Sequence, residues 1–460
     1  MTFAALMDDA VKRVIPPEQP AQTLQGVQRS VRAVVCDING IFRAKRVPAR
    51  LSKKAFDGKL KMPLSILFVD VWGNDVIASG HVLDSGDRDG MLRPTERGPL
   101  DLEWLDRPSS LLLCSMYTDR GQPFLADPRH ALANVIARYR DRGLTPVCAT
   151  ELEFYLHDLD SEEISPPSRP GGARLSANSV YSLQDLDGFE SFLSDVYTAC
   201  RRMGIQAEEA ISENGCGQFE INLCHTDDVL RAADDAQLFK YLVRGVAARH
   251  GLGATFMAKP YGSEAGSGLH VHFSLLDAEG RNVFADGTPQ GSNVLRAAVA
   301  GLLDALPASM LVFAPHFNSY RRLAPDSHAP TRATWGYENR TVAIRIPEGP
   351  DSARRIEHRV AGADANPYLV LAAMLGAALD GIDSGRTPPA PEQGNAYESD
   401  AERLPSNWEQ ALSAFESSAA QRAVLGSLLT EVYAAAKRQE IDVFSRELSK
   451  FEVTTYLDVV

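Results

Sequence analysis

Residues 267–274 read Ser-Gly-Leu-His-Val-His-Phe-Ser, which places polar side chains at alternate positions of a mostly apolar stretch. A β-strand points alternate side chains to opposite faces of its sheet, so His270, His272 and Ser274 are predicted to share one face. The glycine-rich turn from Tyr261 to Gly268 comes directly before them and can bring backbone N–H groups close to an anion. The stretch therefore predicts a strand that lines a polar site, although two histidines on one face also occur as a simple hydrogen-bonded surface pair.

Glutamates follow a related pattern in three other stretches. Glu151-Leu-Glu153 lies in an apolar run, and Glu213-Asn-Gly-Cys-Gly-Gln-Phe-Glu220 closes a tight turn between two glutamates. A single glutamate is more often solvated or ion-paired, but two buried carboxylates on one face without a cation would raise the pKa of one sharply. Hard divalent ions prefer several oxygen ligands, so the pattern predicts two or three Mg²⁺ or Mn²⁺ ions. The candidate ligands are Glu151, Glu153, Glu213, Glu220, Glu357 and His270, and the histidine suits Mn²⁺ better than Mg²⁺.

Five arginines in the C-terminal half of the chain offer forked donors that match carboxylate and phosphate oxygens. Arg355 and Arg359 would share a strand face with Glu357, which argues against a purely solvated role for these two. If the strands are neighbours, the glutamates, histidines and arginines meet in one cleft. So much buried charge needs metal ions and anionic ligands to balance it, as in a phosphoryl-transfer site. The five arginines are Arg322, Arg340, Arg345, Arg355 and Arg359.

The length and composition of the 460-residue chain indicate an ordinary soluble protein with room for two domains. The net charge of −13 disfavours nucleic acid as a partner. No apolar run approaches the length of about 18 residues that a membrane span needs. The six cysteines show no Cys-x-x-Cys spacing, which favours free thiols in a reducing compartment. We therefore predict a cytoplasmic protein that neither spans nor is anchored to a membrane. The chain also lacks the phosphate loop, the dinucleotide fingerprint, the Gly-x-Ser-x-Gly elbow and a zinc pattern.

Secondary-structure signals divide the chain into three parts. Residues 1–26 contain three prolines and are predicted to form a tail or a short helix. Residues 27–115 are predicted to form a small β-rich domain. Residues 116–460 mix helices with the strands that carry the motifs, so they are assigned to an α+β domain.

Turn and cap residues predict individual hairpins and helices within these parts. Asn39-Gly40 predicts a hairpin between strands near 31–37 and 41–47, and Gly73-Asn74 predicts a second hairpin between 64–72 and 76–78. Three amphipathic helices are predicted over residues 127–143, 185–203 and 226–250.

Several motifs together resemble the glutamine synthetase superfamily from about residue 30 to the C-terminus. The resemblance implies an α+β fold with a small N-terminal β-grasp domain and a large catalytic domain whose curved antiparallel sheet is flanked by helices. It also implies a ring-shaped homododecamer whose active sites form between neighbouring subunits. The motifs are Glu151-Leu-Glu-Phe154, Glu213 to Glu220, Lys259-Pro260, Gly266-Ser-Gly-Leu-His-Val-His272, Asn318-Ser-Tyr-Arg-Arg-Leu323, Asn339-Arg-Thr-Val-Ala-Ile-Arg-Ile-Pro347 and Arg354-Arg-Ile-Glu-His-Arg359.

The reaction that the resemblance implies has two steps and needs ATP. The γ-carboxylate of L-glutamate attacks ATP to give γ-glutamyl phosphate, and an amine then displaces phosphate to form an amide. By the same resemblance, Glu153, Glu213 and Glu220 hold one metal ion. Glu151, His270 and Glu357 hold another.

The resemblance also assigns substrate contacts. Gly266, Arg322 and Arg359 resemble the glutamate clamp, with His270 and Arg345 counted among the substrate-binding residues. Arg340 and Arg345 would hold the transferring phosphate. Glu208, His272, Ser274 and Arg355 resemble nucleotide contacts. The predicted catalytic residues are Arg340, His328 and Glu357.

The determinants of ammonium binding differ from those of glutamine synthetases proper. In the family, a flap glutamate just before Ala-Pro binds and deprotonates ammonium, and this chain has His328 there. A histidine accepts a proton near neutral pH but lacks the fixed negative charge that favours a small cation. The Asp-Gly-Ser-Ser segment of the ammonium site is also absent, and the chain has Gly86-Asp-Arg-Asp-Gly90 near that place. These differences favour a larger amine.

The N-terminal segments Asp37-Ile-Asn-Gly40 and Lys45-Arg-Val-Pro48 resemble the γ-glutamylpolyamine synthetase branch of the family. A polyamine such as putrescine or spermidine is therefore the favoured acceptor. Ethanolamine, an alkylamine, an aromatic amine or ammonium is the alternative, as is a catalytically silent regulatory relative. All six candidate metal ligands are present, which disfavours the silent relative. Tyr397 lies near the family's adenylylation tyrosine but lacks its sequence context, so that modification is not predicted.

Overall fold

The computed structural model describes residues 29–159, 164–168 and 180–460, so the predicted tail over residues 1–26 lies outside the described part. The described part is a mixture of strands and helices, which confirms the predicted α+β class. The strands are β1 (Ser30–Cys36), β2 (Phe42–Val47), β3 (Leu60–Pro63), β4 (Asp89–Asp101), β5 (Ser109–Tyr117), β6 (Thr145–Asp158), β7 (Ala207–Ser212), β8 (Gln218–Thr226), β9 (Leu252–Thr255), β10 (Leu269–Leu276), β11 (Trp335–Tyr337), β12 (Ile344–Ile346) and β13 (Ile356–His358). The helices are α1 (Ser52–Phe56), α2 (Pro128–Arg140), α3 (Leu183–Gly188), α4 (Glu190–Arg202), α5 (Val229–Arg249), α6 (Asn293–Phe313), α7 (Pro367–Ser384), α8 (Trp408–Ser417), α9 (Ala419–Leu425), α10 (Ser427–Arg446) and α11 (Lys450–Tyr456).

The first sheet has five strands in the order β2-β1-β5-β4-β3. β1 pairs antiparallel with β2 and parallel with β5, and β4 pairs antiparallel with both of its neighbours. The predicted hairpin between β1 and β2 is confirmed. Its turn contains Gly40 with a φ of +72°, and the Asp37 carboxylate accepts hydrogen bonds from the backbone N–H groups of Asn39 and Ile41, both at 2.9 Å.

The second predicted hairpin is wrong. Leu64–Leu67 and Ile77–Ser79 form short 3₁₀ turns, and β3 and β4 complete the sheet instead. Side chains hold the intervening loop, since Asp70 accepts from the backbone N–H of Asn74 at 2.7 Å and Glu440 accepts from that of Val71 at 2.8 Å. These bonds take backbone donors that a strand ladder would need. β5 extends to Tyr117 and so crosses the boundary predicted between residues 115 and 116.

The second sheet has eight strands and carries the predicted site. Its order is β11-β12-β13-β10-β6-β8-β7, and β9 pairs separately with β6. β11 and β12 are parallel, whereas the other pairs are antiparallel. Leu152, Phe154 and Val271 point to the core from one face and are fully buried. The predicted antiparallel sheet flanked by helices is thus confirmed, with one parallel pair in addition.

Apolar helices cover the buried face of this sheet. α5 places Phe239 against Phe154, with ring centroids 6.2 Å apart. α6 and α7 approach so closely that a Cβ on Gly301 would lie 2.2 Å from the carbonyl oxygen of Ala377. The helix predicted over 185–203 is divided into α3 and α4 at Phe189.

α6 is the one helix in the described part that is long and apolar enough to cross a membrane, judged by length and composition alone. This 21-residue helix is therefore longer than any apolar stretch that was expected from the sequence. It contains Pro307, and 67% of its most apolar window is buried inside the protein, as in the core helix of a globular domain.

Candidate active site

The register of the second sheet brings the predicted glutamates and histidines together. β10 pairs with β6 so that His270 lies opposite Glu151. β8 pairs with β6 so that Glu153 lies opposite Glu220. Because side chains alternate along each strand, these four residues lie on the same face, opposite to the core.

Glu151 lies between the two histidines of β10. One of its carboxylate oxygens is 3.2 Å from Nδ1 of His270, and the other is 2.7 Å from Nε2 of His272. Burial favours the protonated carboxyl, but His272 and His270 outweigh it and hold the pKa of Glu151 well below its usual range. Glu151 is therefore an anion at neutral pH.

Glu357 is the buried centre of the neighbouring strands. It lies opposite His272 on β10 and opposite Arg345 on β12, and it is 1% exposed. Arg345 donates to one carboxylate oxygen at 2.6 Å, and Arg359 donates to the other. Burial raises the pKa of Glu357, but His272, Arg359 and His270 lower it to about 2. Arg345 also donates to Glu338 at 2.9 Å, so its guanidinium bridges two carboxylates.

Two N–H donors hold one oxygen of the Glu153 carboxylate. The backbone N–H of Gly268 donates to its Oε2 at 2.8 Å, and the side-chain amide of Gln218 donates to the same oxygen at 3.2 Å. Oε1 accepts no hydrogen bond from the residues that the structure describes. That oxygen is consequently the one available to a cation.

Glu153, Glu213 and Glu220 form a group of interacting carboxylates in the site. Burial and the charges of Glu153, Glu151 and Glu213 raise the pKa of Glu220 to about 9. Burial and Glu153 likewise raise the pKa of Glu213 to about 7, against the opposing charge of Arg340. A divalent cation between these groups would relieve the repulsion that raises both values.

Two groups of three side chains have ligand atoms within 4.8 Å of one another: Glu151 with His272 and Glu357, and Glu151 with Glu220 and His270. These groups share Glu151 and so differ from the predicted division into two ligand sets, which stays a prediction. Carboxylate oxygens with one or two imidazoles are a donor set that suits Mg²⁺ or Mn²⁺. The residues present therefore fit the divalent ions that the family uses.

The predicted glutamate clamp packs against glycines. A Cβ on Gly266 would lie 2.6 Å from Cγ of Arg322, and one on Gly268 would lie 2.8 Å from Nη2 of the same residue. Arg322 is 5% exposed and donates to the backbone carbonyl oxygen of Val360 at 2.8 Å. Side chains at the two glycine positions would displace this arginine. Arg322 also donates to the backbone carbonyl oxygen of Arg359 at 3.3 Å, so Gly266, Arg322 and Arg359 lie next to one another in the structure.

Three further residues with predicted roles, Ser274, Glu208 and Arg340, lie outside the group of glutamates and histidines described above. Ser274 is buried on the face of β10 that His272 shares, as the alternation predicts. Glu208 is exposed on β7 and accepts a hydrogen bond from Sγ of Cys224 at 3.3 Å. Arg340 is exposed within electrostatic range of Glu213.

His328 is exposed on the flap and has a φ of +58°, a left-handed conformation that few non-glycine residues adopt. Asp326 shares this conformation with a φ of +61°. The hydroxyl of Ser327 between them is shared by two backbone carbonyl oxygens, that of Ala324 at 2.5 Å and that of Arg322 at 3.0 Å, so the flap lies next to the clamp residue. The roles assigned to these individual residues stay predictions.

Sequence reasoning missed two residues on the polar face. Gln218 contacts Glu153 and belongs to the stretch Glu213–Glu220, in which only the two glutamates were predicted to have a role. Asn222 lies opposite Glu151, and its buried Oδ1 has no hydrogen-bond partner among the described residues. The alternation Gln218, Glu220, Asn222 along β8 is the signal that could have found both.

Known proteins match this chain over most of its length. The sequence model of the glutamine synthetase catalytic domain matches residues 125–456. The gamma-glutamylputrescine synthetase PuuA of Escherichia coli (strain K12) is 40% identical over 92% of this chain and 90% of its own. A glutamate–isopropylamine ligase from a Pseudomonas species is 35% identical over 94% of this chain and 95% of its own.

A solved structure described as apo GmaS without ligand superposes with a TM-score of 0.82 at 30% identity, covering 94% of this chain and 97% of the other. Family enzymes use ATP and divalent metals, and the carboxylate-rich face described above has the matching donors. The chain belongs to the glutamine synthetase family and is an ATP-dependent glutamate–amine ligase.

Proposed function

We propose that this chain ligates the γ-carboxylate of L-glutamate to a polyamine through γ-glutamyl phosphate, with putrescine as the favoured acceptor. The observation that carries the choice of amine is the flap, where an exposed histidine, His328, stands in place of the carboxylate that favours ammonium. The similarity to an E. coli enzyme named for putrescine supports the same acceptor.

We further propose that each site takes two or three Mg²⁺ or Mn²⁺ ions. Such ions, when bound, neutralise charge on the phosphates during transfer. The anionic charge of Glu151 and Glu357 supports this assignment, as does Oε1 of Glu153, since both hydrogen bonds to that carboxylate go to Oε2. The residues that would hold the ions are Glu151, Glu153, Glu213, Glu220, His270 and Glu357.

In the first step, a γ-carboxylate oxygen of glutamate attacks the γ-phosphorus of ATP, and ADP leaves. Arg322 and Arg359, beside Gly266, bind the glutamate, while Arg340 and Arg345 donate to the transferring phosphoryl group. Nε of Arg345 and Nε of Arg359 are buried and have no hydrogen-bond partner among the described residues, so each has a donor to offer an anion. Phosphoryl transfer depends mainly on such positioning and charge neutralisation.

In the second step, the neutral amine nitrogen attacks the acyl carbon of γ-glutamyl phosphate, and inorganic phosphate leaves. The nitrogen must lose a proton to become a neutral amide. Histidine is the side chain that accepts a proton near neutral pH, and His328 is assigned this role. The hydrogen bond from Ser327 to Arg322 supports a flap that stays near the glutamate site.

The assembly and location follow the family resemblance. We propose a homododecamer with active sites between subunits, located in the cytoplasm, which light scattering of the purified protein and cell fractionation would test. The described part of the chain has exposed apolar side chains near its C-terminus, including Leu448, Phe451 and Leu457, which is compatible with burial in an assembly.

A competition experiment tests the choice of amine. The enzyme is incubated with ATP, Mg²⁺, L-glutamate and equal concentrations of putrescine, isopropylamine and ammonium, and the products are identified by mass spectrometry. We expect γ-glutamylputrescine to dominate. The similarity to the isopropylamine ligase favours an alkylamine as the second candidate, and γ-glutamylisopropylamide would then dominate. Glutamine as the main product would contradict both.

A further inference from the structure

Gln218 makes three side-chain hydrogen bonds to three separate parts of the site. The residue is 1% exposed and begins β8. Its amide nitrogen donates to Oε2 of Glu153 at 3.2 Å and to the backbone carbonyl oxygen of Gly266 at 3.0 Å. Its amide oxygen accepts from the backbone N–H of Gly215 at 3.0 Å. Both ends of the amide are therefore occupied, and its orientation is fixed by its partners.

The hydrogen bond to Glu153 determines which of its carboxylate oxygens stays available to a metal ion. Oε2 of Glu153 also accepts from the backbone N–H of Gly268 at 2.8 Å, so two donors converge on one oxygen. The carboxylate plane is thereby fixed, and Oε1 is left for a cation. Loss of a partner that orients a metal ligand in this way typically lowers metal affinity by about ten- to a hundred-fold.

The bond to Gly266 holds the turn that contacts the glutamate clamp. This turn has little freedom, because a Cβ on Gly266 would lie 2.8 Å from the carbonyl oxygen of Ala258 as well as 2.6 Å from Arg322. Without Gln218, the Gly266 carbonyl group would lose a partly buried donor, and the turn could move away from the arginine.

The bond to Gly215 holds the loop that carries Glu213. Backbone hydrogen bonds reinforce it, since Glu213 donates to the carbonyl oxygen of Gln218 and Gln218 donates to that of Gly215, both at 2.9 Å. The loop also fits closely around Tyr155, whose hydroxyl would lie 1.8 Å from a Cβ on Gly215. Gln218 is thus the side chain that joins the loop, the turn and the metal ligand.

We propose that Gln218 is a positioning residue that ties Glu153, the Gly266 turn and the Glu213 loop into one preformed unit, so that the metal ion and L-glutamate both depend on it. The identity of the ligands, a divalent metal ion and L-glutamate, rests on the proposed function. The role given to Gln218 rests on its three side-chain hydrogen bonds.

Two substitutions separate this role from a general contribution to folding. Gln218→Leu removes the amide at similar volume, and Gln218→Asn keeps an amide that is too short to reach all three partners. Gln421→Leu is the matched control, because Gln421 is also 1% exposed and donates from its amide to Ser309 at 2.6 Å, between helices α9 and α6.

The test measures equilibrium binding to the full-length protein rather than turnover. Free Mn²⁺ is counted by electron paramagnetic resonance, and L-glutamate and ADP binding are followed by calorimetry at saturating Mn²⁺. For Gln218→Leu we expect the dissociation constants of Mn²⁺ and L-glutamate to rise about ten-fold or more, with a smaller rise for Gln218→Asn. ADP affinity should stay within about two-fold, because Gln218 contacts none of the predicted nucleotide residues. Gln421→Leu should leave all three constants unchanged.

Two results would overturn the inference: unchanged Mn²⁺ and L-glutamate affinities in both Gln218 variants, or an equal loss of ADP affinity, which would indicate a general structural defect. A wild-type protein that fails to bind L-glutamate at saturating Mn²⁺ would instead contradict the proposed function. The two failures are therefore distinguishable in the same experiment.

Discussion

Nε of Arg355 donates a hydrogen bond to Nδ1 of His272 over 3.1 Å. Arginine is always a donor, so Nδ1 of His272 must accept, and the ring proton lies on Nε2. Nε2 faces Glu151 at 2.7 Å and therefore donates to it. In this arrangement neither ring nitrogen of His272 offers a lone pair to a metal ion, so of the two groups of three side chains around Glu151 only the one with His270 keeps an imidazole donor. His270 contacts the second oxygen of Glu151 through its Nδ1. The contact with Arg355 therefore favours His270 over His272 as the imidazole ligand of the predicted metal site.

Replacing Arg355 tests this chain of hydrogen bonds. Arg355→Met removes the donor, so His272 can exchange its tautomer and Glu151 is no longer held in one orientation. We expect the Mn²⁺ concentration that gives half-maximal activity to rise about ten- to a hundred-fold, as is typical when an orienting partner of a metal ligand is lost. The measurement is glutamate-dependent phosphate release at varied Mn²⁺ and saturating ATP, so that the predicted contact of Arg355 with the nucleotide does not decide the result. The control is Arg386→Met, which removes an exposed guanidinium that pairs with Asp304 and should leave the activity unchanged. Equal activities of the two variants would contradict the role of Arg355.

Glu357→Gln should abolish turnover while the protein still assembles. The substitution preserves shape but removes the negative charge that pairs with two arginines and that the predicted metal ion would need, so we expect a loss of about a hundred-fold or more in kcat. Light scattering and phosphate release are measured on the same preparation. Glu416→Gln, which breaks the surface pair with Arg438, is the matched control. Near-normal activity would remove Glu357 from the metal-binding set.

His328→Glu should shift selectivity toward ammonium. A carboxylate on the flap supplies fixed negative charge for a small cation, and a change of about ten-fold in the ratio of kcat/KM for ammonium to that for putrescine corresponds to only about 1.4 kcal/mol. His328→Gln carries a similar side chain in the same left-handed backbone without charge, and it should not produce this shift. If the ratio is the same in both variants and in the wild type, His328 is not a selectivity element.

Buried Lys240 gives the stability a defined pH dependence. Its Nζ donates to the carbonyl oxygen of Ala365 at 3.0 Å, and burial together with Arg244 lowers its pKa from 10.5 to about 7. Between these values the unfolded chain binds a proton that the folded chain does not, so the contribution of Lys240 to stability is complete above the unfolded pKa and is lost as the pH falls from there to about 7. Lys240→Met removes this dependence.

The free energy of unfolding is measured by urea denaturation at about pH 7 and about pH 9.5. We expect the wild type to gain roughly 3 kcal/mol relative to Lys240→Met between these pH values, which is the linkage energy of about 2.5 pKa units. Lys53→Met, at an exposed lysine that pairs with Asp57, is the control and should show no such gain. Parallel behaviour of the wild type and Lys240→Met would mean that Lys240 keeps an ordinary pKa.

The period of two along the strands was enough to predict which residues share a face. His270 and His272 lie on the polar face of β10, and Glu151 and Glu153 lie on that of β6, as the alternation requires. The neighbours of each strand could not be predicted in the same way, because strand order depends on long-range pairing. The pairing of β13 with β10 therefore places His272, rather than His270, opposite Glu357.

Two other features of the structure could not be predicted from local sequence patterns. The apolar run Leu64–Leu67 resembles a strand, but the carboxylates of Asp70 and of Glu440 on α10 accept hydrogen bonds from the backbone of the following loop and fix it as a turn. Glu440 lies 369 residues from its partner Val71, which no local pattern can reveal. Gln218 is part of a recognisable motif, but its contact with Gly266 exists only after both β8 and β10 have paired with β6.

The most direct test of the central claim is the ratio of kcat/KM for putrescine to that for ammonium, measured as glutamate- and ATP-dependent phosphate release by the wild-type protein with Mg²⁺. A site that accommodates the diamine and lacks the flap carboxylate should favour putrescine by about a hundred-fold or more. A ratio near one, or a preference for ammonium, would contradict the polyamine assignment and would make this chain a glutamine synthetase in the strict sense.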